Sequence, residues 1–188
     1  MHAGSSIESL IFETKRFRIR QATMDDVDGW LSFWNDPEVM RFIYDGDGTW
    51  GGGEDVVHEV LRKYILYYEA HPGLGDWAVE DKSTGKVVGE VSVEIMQQTG
   101  EIEVGYILCK AYWGKGFGTE LLLGLLNHCF TQLKLAQVCA VTNPVNAASI
   151  RVMEKCGMSF VGRVFDRKVW LLKFALSAKD FTRQTENP

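Results

Sequence analysis

YILCKAYWGKGFGTELLLGLL, Tyr106 to Leu126, decides how the chain is read. An apolar segment runs into Gly114, Gly116 and Gly118, and a leucine-rich pattern of helical period follows at once. Glycines let a backbone approach a ligand closely and adopt positive φ. The first N–H groups of the helix behind them have no internal partner, and its dipole attracts negative charge. Lys115 adds a cation. The stretch therefore builds an anion site, or else a tight turn into an ordinary buried helix. A P-loop needs G-x-x-x-x-G-K-S/T, which is absent. The dinucleotide fingerprint G-x-G-x-x-G belongs to a first βαβ unit, whereas this G-x-G-x-G lies past the midpoint, behind antiparallel strands. ATP and NAD both fit poorly.

Upstream, DWAVED, VVGEVSVEI and IEVGYIL are short strand-like runs separated by turn chemistry at KSTGK and QQTGE. Downstream, a helix over about 118–133 leads to the strand AQVCAVT. A helix from about Asn146 to Cys156, closed by Gly157, precedes two further strands, SFVGRV and KVWLLKFAL. Near the start, FETKRFRIRQA predicts a first strand. Thr23 then caps a helix with Asp26 as its box partner. Val27, Trp30, Leu31 and Trp34 follow at helical spacing, which reads both tryptophans as core. Pro37 opens a short helical piece. YDGDGTWGGGED, Tyr44 to Asp55, holds five of the nineteen glycines and predicts a loop. A second amphipathic helix starts at Asp55 and carries Tyr64 and Tyr68 on its apolar face. The fold class is α/β (α+β): one domain over residues 10–182, a mixed, mostly antiparallel central sheet, and about four flanking helices. Residues 1–9 and 183–188 are expected to be flexible tails.

The 188 residues suffice for one sizeable core. With 46% hydrophobic and 24% charged residues and a formal charge of −5, the chain is no general nucleic-acid binder and mildly favours cationic partners. No apolar run reaches the about eighteen residues of a membrane span, and the N-terminus does not have the pattern of a secretory signal. Cys109, Cys129, Cys139 and Cys156 are widely spaced and read as buried thiols of a reducing cytoplasm. The four histidines, His2, His58, His71 and His128, form no metal constellation, so no metal is expected.

Two segments, YWGKGFGTE and NPVNAASIRVMEKCGM, together resemble the GCN5-related N-acetyltransferases (GNAT). They look most like the RimJ/RimL branch, which acetylates N-terminal amines of ribosomal proteins. TKRFRIRQATMDDVDGWLSFWNDPEVMRFI looks like that branch's opening, so the resemblance spans about residues 12 to 181. It implies a splayed strand pair in the sheet and acetyl-CoA as co-substrate. Ile107 and Leu108 would offer backbone to the pantetheine arm, with Cys109 at the splay. The amides of Gly114, Lys115, Gly116, Phe117, Gly118 and Thr119 would hold the pyrophosphate. Trp113 stands where the family often has Gln or Arg, a change the branch tolerates. Asn146 matches a residue that hydrogen-bonds the pantetheine, and it also suits a plain helix N-cap. Ser149 matches the group that protonates the departing thiolate; a serine at this point in a helix can equally satisfy the local backbone.

The chemistry implied is attack of a neutral amine on a thioester in a ternary complex, which needs a base, a polarised carbonyl and a proton for the thiolate. Glu103, in the family's E-x-G-Y position, is the candidate base. Glu101, two residues before it, reads as a solvated strand carboxylate, and Glu90 and Glu94 could substitute for Glu103. Many relatives read Tyr-Ala-Leu near the end; here Phe174 takes the tyrosine's place, shifting weight to Ser149 or water. The glycine-rich loop, with Asp45, Asp47, Trp50, Glu54 and Asp55, could close over a cationic acceptor or be a solvated linker. Tyr64, Tyr67, Tyr68 and Trp77 are read as core. The expected activity is acetyl transfer to a peptide N-terminus, a polyamine or an aminoglycoside-like amine, by a cytoplasmic monomer or homodimer. The alternative is a non-catalytic acyl-CoA-binding or sensing module.

Overall fold

In the computed structural model, which describes residues 10–43, 52–166 and 168–186, the N-terminal segment expected as one strand is a hairpin. Strand β1 (Leu10–Glu13) pairs antiparallel with β2 (Phe17–Gln21). Its turn contains no glycine or proline and is held from a distance. Glu120 accepts hydrogen bonds from Thr14 Oγ1 and the Arg16 amide, both at 2.7 Å, and from Arg16 Nε at 2.6 Å.

A 3₁₀ turn then leads into helix α1 (Val27–Trp34), followed by α2 (Pro37–Met40) and α3 (Glu54–Ala70). The predicted box at Thr23 is present, the Thr23 amide donating to Asp26 Oδ2 at 2.7 Å. The meander is β3 (Gly75–Asp81), β4 (Lys86–Ile95) and β5 (Ile102–Leu108). Helix α4 (Phe117–Thr131), β6 (Gln137–Thr142) and α5 (Ala147–Lys155) follow. Strands β7 (Ser159–Asp166) and β8 (Val169–Ser177) lead into α6 (Ala178–Glu186). This last helix is polar on average, and it takes in residues 183–186, which are expected from the sequence to belong to the tail. It is anchored by Phe181, whose ring lies 5.1 Å from that of Phe130.

The eight strands form one sheet in the order β1-β2-β3-β4-β5-β6-β8-β7, mixed and mostly antiparallel as expected. One apolar layer lies between the sheet and α4 and α5, built on Leu121, Leu122, Leu125, Leu126 and Met153. The other lies beneath α1 to α3, built on Trp30, Phe33, Trp34, Val57 and Leu61. Among the described residues the one parallel pair is β5 with β6, and it meets at a single register position, Glu103 opposite Cys139. β4 and β5, by contrast, stay paired from Ile95–Ile102 to Gly89–Leu108. β5 therefore leaves β6 after Val104, and the sheet opens at its centre.

Candidate active site

At the opened end, β5 runs into the glycine turn. Gly114 (φ 72°) and Gly116 (φ 78°) are left-handed, and Gly116 is the residue before helix α4. A side chain at either position would be strained, which explains the glycines. The first bond closing onto the turn is Glu120 N to Gly116 O at 3.1 Å. The amides of Phe117, Gly118 and Thr119 are thus the first-turn donors that a helix leaves without an intrahelical acceptor.

The turn borders a groove of about 520 Å³ that runs along β5 to α5. Of the candidate coenzyme residues, Ile107, Leu108, Trp113, Gly114, Gly116, Gly118, Thr119 and Asn146 line it, and so does Ser149. Lys115 and Phe117 do not. Lys115 Nζ folds back onto Ala111 O at 2.9 Å. The Phe117 ring packs against Phe17 and lies 3.7 Å beneath the Arg16 guanidinium. The groove's cations are instead Arg41, Arg151 and Lys155. Arg151 and Lys155 are four apart on α5, so helical spacing in SIRVMEK was a signal that could have found them.

Strand alternation settles which backbone groups face the opening. Cys109 N donates to Val88 O and Met96 N to Glu101 O, both at 2.8 Å. Odd-numbered residues of β5 therefore bond to β4, and even-numbered ones point away from it. Ile107, expected to offer its backbone, turns it to β4 and gives the groove its side chain. Tyr106 and Leu108 face the opening. The Leu108 carbonyl accepts from Trp113 Nε1 at 2.8 Å, which leaves the Leu108 N–H for a ligand.

Asn146 is the N-cap of α5, its Oδ1 accepting from Ser149 N at 3.1 Å. Tyr106 lines the groove beside Ser149, and burial pushes the phenol's pKa up to about 12. Phe174 is buried against Phe160. A phenol nevertheless stands beside Ser149, from the tyrosine of the E-x-G-Y stretch, which sequence reasoning quoted without using.

The opposite face of the opening, beneath α1 and α3, is acidic. Register places Glu94 opposite Glu103, Ser92 opposite Asp76 and Gly105, and Glu90 opposite Ile107. Glu103 walls neither the groove nor the cavity inside the opening; it lies two residues from Gly105, which does line the latter. Glu90 is buried and accepts from Trp30 Nε1 at 2.8 Å and from the Trp34 indole. Burial, against those two donors and with help from the Glu94 charge, pushes its pKa up to about 7. Glu101 is not a solvated carboxylate: it is paired with Lys173, which holds its pKa below the usual range. Trp77 is fully buried, as expected. The Tyr67 hydroxyl instead bonds the Ile95 backbone beside Glu94 and Asp76; burial, then those two charges, raise its pKa. Among the described residues, no group of three or more His, Cys, Asp or Glu is placed to hold a metal ion. Asp45, Asp47 and Trp50 lie outside the described residues.

Comparison with known proteins bears on the family and the fold. The sequence model of the acetyltransferase (GNAT) domain matches residues 16–159. The Bacillus subtilis protein YkkB is 31% identical over 152 residues, 76% of this chain and 83% of that protein. A GNAT-family acetyltransferase from Bacillus anthracis superposes with a TM-score of 0.73 at 22% identity, over 89% of this chain and 98% of the other. Mycobacterium smegmatis RimJ, solved in complex with CoA-disulfide, superposes at 0.71 with 20% identity, over 87% of this chain and 82% of its own. These two structures share the fold.

Proposed function

The chain belongs to the GNAT acetyltransferase family, and from that premise we propose that it acetylates a primary amine by direct attack on acetyl-CoA in a ternary complex. As an acetyl-CoA-dependent acetyltransferase it must hold the coenzyme. The observation that carries the reading is the opened β5–β6 pair, which runs from a left-handed glycine turn at a helix N-terminus to the Ser149 hydroxyl.

The glycine-turn amides and Arg41, Arg151 and Lys155 suit a pyrophosphate and its neighbouring phosphate charges. Leu108 N–H, aimed into the opening, suits the thioester oxygen. Ser149, whose amide is capped by Asn146, is the proposed proton donor to the departing sulfur. Glu103 is the proposed proton acceptor for the ammonium, with Glu90 and Glu94 beside it on the acidic face. That face favours a cationic amine: a protein N-terminus, as in the RimJ/RimL branch, a polyamine or an aminoglycoside-like compound. We place the enzyme in the cytoplasm, in keeping with its four free cysteines. Among the described residues no helix is long and apolar enough to cross a membrane.

Thermal unfolding with saturating acetyl-CoA, and with NAD and ATP as controls, tests the coenzyme site. At a hundred times the dissociation constant the gain is about 2.7 kcal/mol. For a chain of this size that raises the midpoint by about 5–10 °C. Thiol release across an amine panel then identifies the acceptor. No shift with millimolar acetyl-CoA overturns the reading.

A further inference from the structure

We propose that the cavity inside the β5–β6 opening is an acyl-chain pocket, so that propionyl-CoA and butyryl-CoA are donors as well as acetyl-CoA. The inference rests on the acyl-transfer reading above. This second cavity, of about 100 Å³, joins the coenzyme groove, the two sharing Phe42, Ile43, Tyr106, Asn146 and Ser149. An acyl group arriving at Ser149 therefore faces it.

Val104, Leu122, Ala140, Met153 and Leu171, all of them buried, give it an apolar wall, while Thr142, Asn143 and Ser149 add polar groups. Where the walls are apolar they forfeit contacts until a hydrocarbon meets them. An apolar cavity of about 150 Å³ holds benzene, six carbons, so by proportion this space takes about four. Acetyl brings one carbon beyond its carbonyl, propionyl two and butyryl three; hexanoyl brings five and exceeds the room. The limit is firm because the apolar wall does not yield. Val104, Leu122, Ala140 and Met153 belong to the main core cluster, carried by β5, α4, β6 and α5.

The test is isothermal titration of the full chain with CoA, acetyl-, propionyl-, butyryl- and hexanoyl-CoA, which requires no knowledge of the acceptor. Affinity is expected to rise about fourfold per added methylene through butyryl, then to fall with hexanoyl. Ala140→Val, which thickens the apolar wall, should move the optimum back to acetyl. Leu171→Ala, which removes three carbons from the wall, should move it outward so that hexanoyl is accommodated. Should Ala140→Val fail to fold, the wild-type series and Leu171→Ala still decide. Affinity that is indifferent to chain length, or highest for acetyl, overturns the pocket while leaving the coenzyme site standing. Failure of CoA itself to bind overturns the coenzyme site and the pocket with it.

Discussion

Replacing Glu90 by glutamine is the sharpest probe of the acidic face, because burial and charge there oppose each other. The carboxyl is enclosed on β4 under α1, receives the Trp30 and Trp34 indoles, and feels the Glu94 charge. Burial is the largest influence, and it lifts the pKa from 4.5 to about 7. The folded protein thus holds this proton more tightly than the unfolded chain does. The associated stability is complete below pH 4.5 and is lost as pH rises through about 7. At about 1.4 kcal/mol per pH unit, the loss at pH 8 is on the order of 3 kcal/mol. Glutamine keeps an acceptor for Trp30 and never ionises. Glu90→Gln should match the wild type near pH 4.5 and exceed it by on the order of 3 kcal/mol at pH 8, about 6–12 °C in midpoint. Thermal unfolding across the pH range measures this as the difference between the two proteins, in which the titrating groups that do not interact with Glu90 cancel. A difference that stays flat with pH, or a glutamine variant less stable at pH 8, would show that Glu90 does not carry the raised pKa.

Glu103→Gln should lower kcat/KM by about 10²–10⁴-fold with the midpoint unchanged; if turnover is kept, the proton leaves by another route, which Glu94→Gln and the pH profile of Glu90→Gln then locate. Asn146→Ala removes the cap on the Ser149 amide and should cost about 1 kcal/mol, about 2–4 °C, and a KM for acetyl-CoA that does not rise as well would restrict the residue to capping. Gly116→Ala meets no crowding, since the nearest atom to its new Cβ is Arg16 Nη2 at 4.0 Å. Its cost is therefore backbone strain of about 1–2 kcal/mol together with weaker CoA binding, and retention of both stability and affinity would argue against the turn as the anion site.

The glycine turn, the Asn146 cap and the meander were legible because each is written in local chemistry: positive φ, a short polar side chain, alternating strands. What stayed hidden depends on partners far along the chain. The β1–β2 turn is set by Glu120, about a hundred residues away, so FETKRFRIRQA reads as one strand. Which residues of β5 turn their backbone groups to the opening follows from their register with β4, and those are Tyr106 and Leu108, while Ile107 lines the groove with its backbone bonded to β4. Trp30 and Trp34 are core by their rings, as the helical spacing predicts. Their indole N–H groups nevertheless reach Glu90, and spacing alone does not reveal that. The α6 segment AKDFTRQTE is nearly all polar, and Phe181 with Ala178 docks its start on the core.

The opening between β5 and β6 creates two strand edges in the middle of a sheet, and unpaired edges invite other chains to add themselves. The hydrogen bond from Trp113 Nε1 removes one acceptor from the β5 edge, at Leu108. Along the continuation of β6, Pro144 has no N–H to give. A stray peptide strand seeking a regular ladder thus meets a gap on each side, whereas a slender arm with a few well-spaced amides needs only the groups that remain. The tryptophan that stands in place of the family's usual Gln or Arg is in this sense a guard, keeping a ligand-sized seam from becoming a site of aggregation.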